Sequence, residues 1–232
     1  MNNELINSSK EKSEDIKLKK WDARKYLKCS LKQWSNFACC ITGMSRSGKS
    51  FMLKHLLTII PKYDFVVICS KTIQNGFYDF IETPFKYTYV ADNVINQLKN
   101  TYYESEKKFK TLVIIDDMAD SHLKYENTIS ELFVSSRHWE CSIVVLVQKC
   151  SLLSTTWMAN TTIFICLYSG SLREKQYLAQ NIVANVLNAT SRDVDLKTEE
   201  KKAVNLITDT CQNYNALVVL PMDNLIYTYK AK

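Results

Sequence analysis

The chain has 232 residues, 46% of them hydrophobic and 23% charged, with a formal net charge of +6. This length and composition suit one α/β domain with a substantial core and exclude a disordered chain. No apolar run approaches a membrane span, and the opening MNNELINSSKEKSEDIKLKK has no apolar stretch that could serve as a signal peptide.

Residues 1–35 carry nine Lys/Arg against five Asp/Glu, which predicts a basic, partly disordered leader ahead of one domain over 36–232. A solvated arm and an arm that touches a polyanion share this composition, and both readings stand. Beyond the leader, apolar runs predict strands at 37–42, 65–70, 87–90, 111–115, 142–147, 162–167 and 216–220. Helices are predicted at 49–60, where Pro61 ends the pattern, and at 93–107, 127–136, 172–188 and 198–211. Short strands separated by helices imply βαβ units, hence an α/β fold with a mostly parallel central sheet flanked by helices. Cys39, Cys40, Cys69 and Cys166 lie inside the apolar runs, and no CxxC pair or Cys/His cluster has zinc-ligand spacing. The eight cysteines therefore read as small hydrophobes in a reduced, intracellular protein.

The stretch GMSRSGKS, residues 43–50, holds two of the chain's four glycines. It matches GxxxxGKS and falls between a predicted strand and a predicted helix, which is the context a phosphate-binding loop requires. Gly43, Met44, Ser45, Arg46, Ser47, Gly48, Lys49 and Ser50 would curl so that backbone N–H groups face phosphate oxygens. The following helix adds its positive N-terminal end. Lys49 would reach the β- and γ-phosphates of ATP, and the Ser50 hydroxyl would bind Mg²⁺.

Such a loop hydrolyses nothing unaided. TLVIIDDMAD supplies two carboxylates where an apolar strand should end, a costly placement unless a cation or hydrogen bonds compensate. Asp116 is assigned to Mg²⁺ through its water shell, and Asp117 to the attacking water as general base. SIVVLV ends in Gln148, placed either to sense the γ-phosphate and orient water or simply to begin a loop. His55 and His122 have no partner at ligand spacing, and the aromatic runs GFYDF and YTYV read as sheet and core.

Together, GMSRSGKS, VIIDD, SSRHW and SIVVLVQ resemble the packaging ATPases of large DNA viruses and virophages, within the FtsK/HerA superfamily. The likeness covers about residues 36–170. It implies a RecA-like P-loop (ASCE) core, a homo-oligomeric ring, and ATP-driven movement of double-stranded DNA into a preformed capsid. Partners implied are sequence-nonspecific double-stranded DNA and capsid-vertex or other virion proteins. The implied location is the host-cell cytoplasm, at the viral factory, and the virion.

In this resemblance Gln148 matches the sensor, Arg137 and His138 the RH pair, and Asn160 an asparagine before the next strand. Met158 stands where relatives often carry arginine. Of the chain's five arginines, Arg137 is the first candidate for an arginine finger acting on a neighbouring subunit. A structural salt bridge and a DNA-phosphate contact are the other readings of that residue. A helicase or DNA-partition motor is the alternative within the superfamily. A nucleotide kinase would need a lid arginine cluster, whereas the C-terminal third holds only Arg173 and Arg192.

Overall fold

In the computed structural model the described residues are 17–27, 36–118, 127–188 and 196–231. His122, Arg192 and most of the predicted leader lie outside them. The strands are β1 (Lys19–Lys20), β2 (Ala38–Thr42), β3 (Phe65–Ser70), β4 (Lys86–Tyr87), β5 (Thr111–Asp116), β6 (Cys141–Val147), β7 (Ile163–Cys166), β8 (Asn215–Leu220) and β9 (Leu225–Lys230). Beyond residue 36 the helices among the described residues are α1 (Lys49–Leu57), α2 (Asp92–Glu104), α3 (Asn127–Ser135), α4 (Thr155–Asn160), α5 (Leu172–Leu178), α6 (Ala184–Asn188) and α7 (Leu196–Thr210).

One sheet forms in the order β1-β9-β8-β7-β2-β6-β5-β3-β4. Only β8 runs against the others. The expected mostly parallel sheet flanked by helices is what these residues build. The central strands are apolar throughout because both faces are covered. Residues of one strand therefore divide between two cores. Val113, Ile115, Ile143 and Val145 pack with Ile95, Leu132 and Trp157 on one face. Leu112, Ile114, Val144 and Leu146 pack with Met52, Leu53 and Leu56 of α1 on the other. Cys39, Cys40, Cys69 and Cys166 are buried among these residues as expected. No helix among the described residues is long and apolar enough to cross a membrane.

Several predicted boundaries shift. The strand expected at 87–90 is the two-residue β4, because Val90 and Ala91 instead pack in the core just ahead of α2. Helix α1 stops at Leu57, where the Thr58 hydroxyl and N–H both bond the His55 carbonyl and tighten the last turn. The 172–188 helix is broken by a π-turn over Ala179–Val183. Helix α4, missed in the sequence, opens where the Ser154 hydroxyl accepts the Trp157 N–H.

The largest departure concerns the leader. Residues 17–27 belong to the fold: β1 pairs with β9, Lys19 opposite Tyr227 and Lys20 opposite Thr228. The Trp21 N–H then bonds the Thr228 carbonyl at 2.8 Å. Trp21 is only 5% exposed and meets Tyr229 edge-on, with ring centroids 5.2 Å apart. A charge count weighs the exposed lysines and overlooks one buried tryptophan. Trp21→Ala should lower unfolding free energy by about 3 kcal/mol in urea titration. A loss within experimental error would return residues 17–27 to the status of a loose arm.

Candidate functional site

In an open α/β sheet, ligands gather at the carboxyl ends of the strands. Five stretches converge on that edge here: the turn after β2, the ends of β5, β6 and β7, and the start of the reversed β8. The loop 43–50 leaves β2 between two strand ends that hold it. Gly43 N–H bonds the Val147 carbonyl of β6 at 3.2 Å, and Met44 N–H bonds the Tyr168 carbonyl beyond β7 at 3.0 Å.

The local sequence is the one this geometry demands. Gly43 has φ +156°, and an added Cβ would stand 2.6 Å from Ser47 Oγ and 2.9 Å from Leu167 Cβ. Gly48 caps α1 with φ +97° and offers no side chain to the helix start. The first N–H groups of α1 therefore face outward without a cap, as an anion site needs. The Ser47 hydroxyl is buried with no hydrogen-bond partner in the structure. Arg46 is exposed and lies in the left-handed region at φ +64°.

Lys49 folds back over this loop, its Nζ donating to the carbonyls of Gly43 at 2.7 Å and Met44 at 2.9 Å. Burial lowers the pKa of its ammonium, while Asp116 and Asp117 oppose that shift. Loop and acid pair thus share one electrostatic neighbourhood.

The acid pair is divided. Asp116, 7% exposed, ends β5 and accepts a 2.6 Å hydrogen bond from the Tyr78 hydroxyl. Burial raises its carboxyl pKa and Asp117 adds to the rise, while Tyr78 and Lys49 pull it down. Asp117 takes φ +53°, a left-handed conformation that aspartate tolerates better than most residues. It is exposed and accepts a 2.9 Å hydrogen bond from Gln148 Nε2. Gln148, which the sequence left between a sensor and the start of a loop, holds the second carboxylate.

Ser50, half-buried in the first turn of α1, and Asp116 offer one hydroxyl and one carboxylate. That sparse donor set is what Mg²⁺ takes when phosphates and water complete its shell.

Arg137 and Asn160 do not join this group. Arg137 sits in a tight turn over Ser136–Trp139 just before β6, and Asn160 ends α4 before β7. Both therefore lie at the opposite edge of the sheet. The seven residues of β6 put roughly 20 Å between its ends at about 3.3 Å per step. Arg137 is exposed, whereas Trp139 is fully buried. Asn160 is spent on its own helix, donating to the Thr156 carbonyl. His55 is also engaged, with Nε2 2.7 Å from the Tyr229 hydroxyl. Tyr78 is the neighbour of the acid pair that the sequence missed: an aromatic run gave no sign that one hydroxyl reaches a carboxylate 38 positions away.

The profile of the family described as Poxvirus A32 protein matches residues 23–227. The DNA packaging protein OPG160 of Variola virus is 25% identical over 203 residues, covering 82% of this chain and 70% of that protein. Among solved structures, the genome packaging NTPase B204 from Sulfolobus turreted icosahedral virus 2, in complex with AMPPCP, superposes with TM-score 0.60. Its identity is 17%, over 85% of this chain and 98% of that one. The pCW3 conjugation coupling protein TcpA with ATPgS superposes with TM-score 0.55 at 15% identity, over 85% of this chain and 61% of that one. At such identities these two establish a shared fold.

The raised pKa of Asp116 has a consequence for stability. With the folded value above the reference value of 3.8, ionising Asp116 opposes folding, and stability is lost as pH rises through the folded value. Asp116→Asn should therefore melt above the wild type at pH 7 in EDTA, with the gap closing on acidification. A variant that melts lower at pH 7 would mean that Tyr78 and Lys49 outweigh the cost of burial.

Proposed function

The chain belongs to the poxvirus A32 protein family, and from that premise we propose that it is an ATP-hydrolysing motor that moves double-stranded DNA into a preformed viral capsid. The observation that carries this reading is the intact phosphate loop, with Lys49 and both carboxylates gathered at one strand edge. The Variola relative is a DNA packaging protein, and two of the solved structures that share the fold hold AMPPCP and ATP-gammaS.

In this mechanism the loop N–H groups and the Ser47 hydroxyl receive phosphate oxygens. Lys49 exchanges its two carbonyl acceptors for phosphate oxygens, trading neutral partners for charged ones. Ser50 and, through water, Asp116 would hold Mg²⁺, which would neutralise phosphate charge. Tyr78 fixes Asp116 for that task. Asp117 takes the proton of the attacking water, and Gln148 holds Asp117 in place. Cleavage then yields ADP and inorganic phosphate.

Arg137 is assigned as the finger supplied to the next subunit. Arg137 stands before β6, at the other end of the sheet from its own loop, which favours a role toward a neighbour. A ring built head to tail sets one face of a subunit against a different face of its neighbour, so an exposed arginine remote from its own loop can serve the next one. The same reading places the protein at the viral factory in the host cytoplasm and in the virion. Mobile DNA would be gripped through phosphates rather than bases, with the exposed Lys17, Lys19 and Lys20 available to contribute.

Lys49→Ala should abolish ATP hydrolysis in a phosphate-release assay while the thermal transition stays cooperative. Asp117→Asn should still bind Mg·ATP yet turn over about 10²- to 10⁴-fold more slowly. Wild-type turnover by the first variant would sink the site; lost nucleotide binding by the second would reverse the roles of the two aspartates.

Arg137→Ala should leave nucleotide binding intact and slow hydrolysis by assembled rings about 10³-fold or more. Mixing it with Lys49→Ala subunits should restore part of the rate, since a mixed ring contains pairs with one intact loop and one intact arginine. Normal hydrolysis by rings of Arg137→Ala alone would remove the finger assignment.

A further inference from the structure

The two flanks of the phosphate loop differ in chemistry. Toward β6 and β5 stand Gln148, Asp117 and Asp116, the polar side suited to the metal and the water. Toward β7 and β8 stand Tyr168 and Tyr214. A nucleotide whose terminal phosphate points at the carboxylates directs its nucleoside to the second flank.

Tyr214 is 67% exposed, although it is large and aromatic. It and Asn213 take successive left-handed conformations, φ +60° and +53°. Two adjacent non-glycine residues in that region, one of them bulky, are uncommon and persist where the surroundings hold them. A tight turn does so, with the Asn215 N–H bonding the Gln212 carbonyl at 2.9 Å. The turn brings the ring over the loop: a Cβ placed on Gly48 would lie 3.2 Å from Tyr214 Cδ1 and 3.8 Å from Cε1. The ring of Tyr168 already carries the Lys175 ammonium, 6.0 Å from its centroid, whereas no cation among the described residues lies over Tyr214.

We propose that Tyr214 is the platform on which the base of the bound nucleoside triphosphate stacks, and that this stacking does not distinguish adenine from guanine. This rests on the reading of loop 43–50 as a triphosphate site. Every base has a π-face, so stacking binds without reading hydrogen-bond edges. The left-handed turn holds the phenol at the loop instead of letting it fold into the core.

The test is calorimetric titration of the full chain with Mg·AMPPNP, Mg·GMPPNP and inorganic tripolyphosphate. Tyr214→Asn removes the ring while keeping a residue that tolerates φ > 0, and Tyr214→Phe keeps the ring. Tyr214→Asn should weaken both nucleotides about tenfold or more and leave tripolyphosphate unchanged. Tyr214→Phe should bind all three like the wild type, and the factor lost in Tyr214→Asn should agree between AMPPNP and GMPPNP within about threefold. Unchanged nucleotide affinity in Tyr214→Asn would overturn the stacking role. Equal loss of tripolyphosphate would overturn it too, since the ring would then be shaping the loop. A loss confined to one of the two purines would overturn the indifference of the stack. A wild type that binds none of the probes removes the triphosphate site itself, and the platform with it.

Discussion

Two backbone hydrogen bonds decide where everything else in the site must stand. Gly43 is tied to the end of β6 and Met44 to the residues just beyond β7. The loop can be strung this way only if β2 lies between those two strands with its carboxyl end level with theirs. The sheet order provides that arrangement, pairing Thr42 with both Val147 and Cys166. The lysine, the carboxylates and the tyrosines are then placed by which strand end each one follows. A register slip of one residue in β2 would exchange the two apolar cores as well as displace the loop.

The divided acid pair shows how two adjacent residues acquire different duties. Successive side chains of a strand point to opposite faces, which alone would leave one carboxylate facing each core. The strand instead ends at Asp116, and the left-handed Asp117 turns the chain out toward solvent and Gln148. One carboxylate is desolvated and held by a phenol; the other remains hydrated and held by an amide. Desolvation resists charge on Asp116, a local cost to stability that Tyr78 and Lys49 only partly offset.

What the sequence made legible follows from where the physical signal resides. The phosphate loop was readable because its constraints are local: glycines, a lysine and a hydroxyl at fixed spacing within eight residues. The parallel core was readable because strands buried on both faces must be apolar throughout. Tyr78 was not, because its duty depends on the loop after β3 bringing one hydroxyl to the end of β5. Tyr214 was hidden for a similar reason, since its place beside Gly48 depends on β8 reversing direction. The β1–β9 pairing escaped because two exposed lysines carry no apolar pattern, and β9 itself is only half-buried.

The pairing of β1 with β9 also sets an order of events. Its partners, Lys19 with Tyr227 and Lys20 with Thr228, lie at widely separated points of the chain, and closure over such a separation is slow. During synthesis at about 5–20 residues per second, Trp21 emerges roughly 10–40 s before the strand that will cover it. Until then a tryptophan and a run of lysines wait in water beside a sheet that lacks its last edge. The pairing of β1 therefore waits for a strand made long after it, and until that strand forms Trp21 has no Tyr229 to cover it.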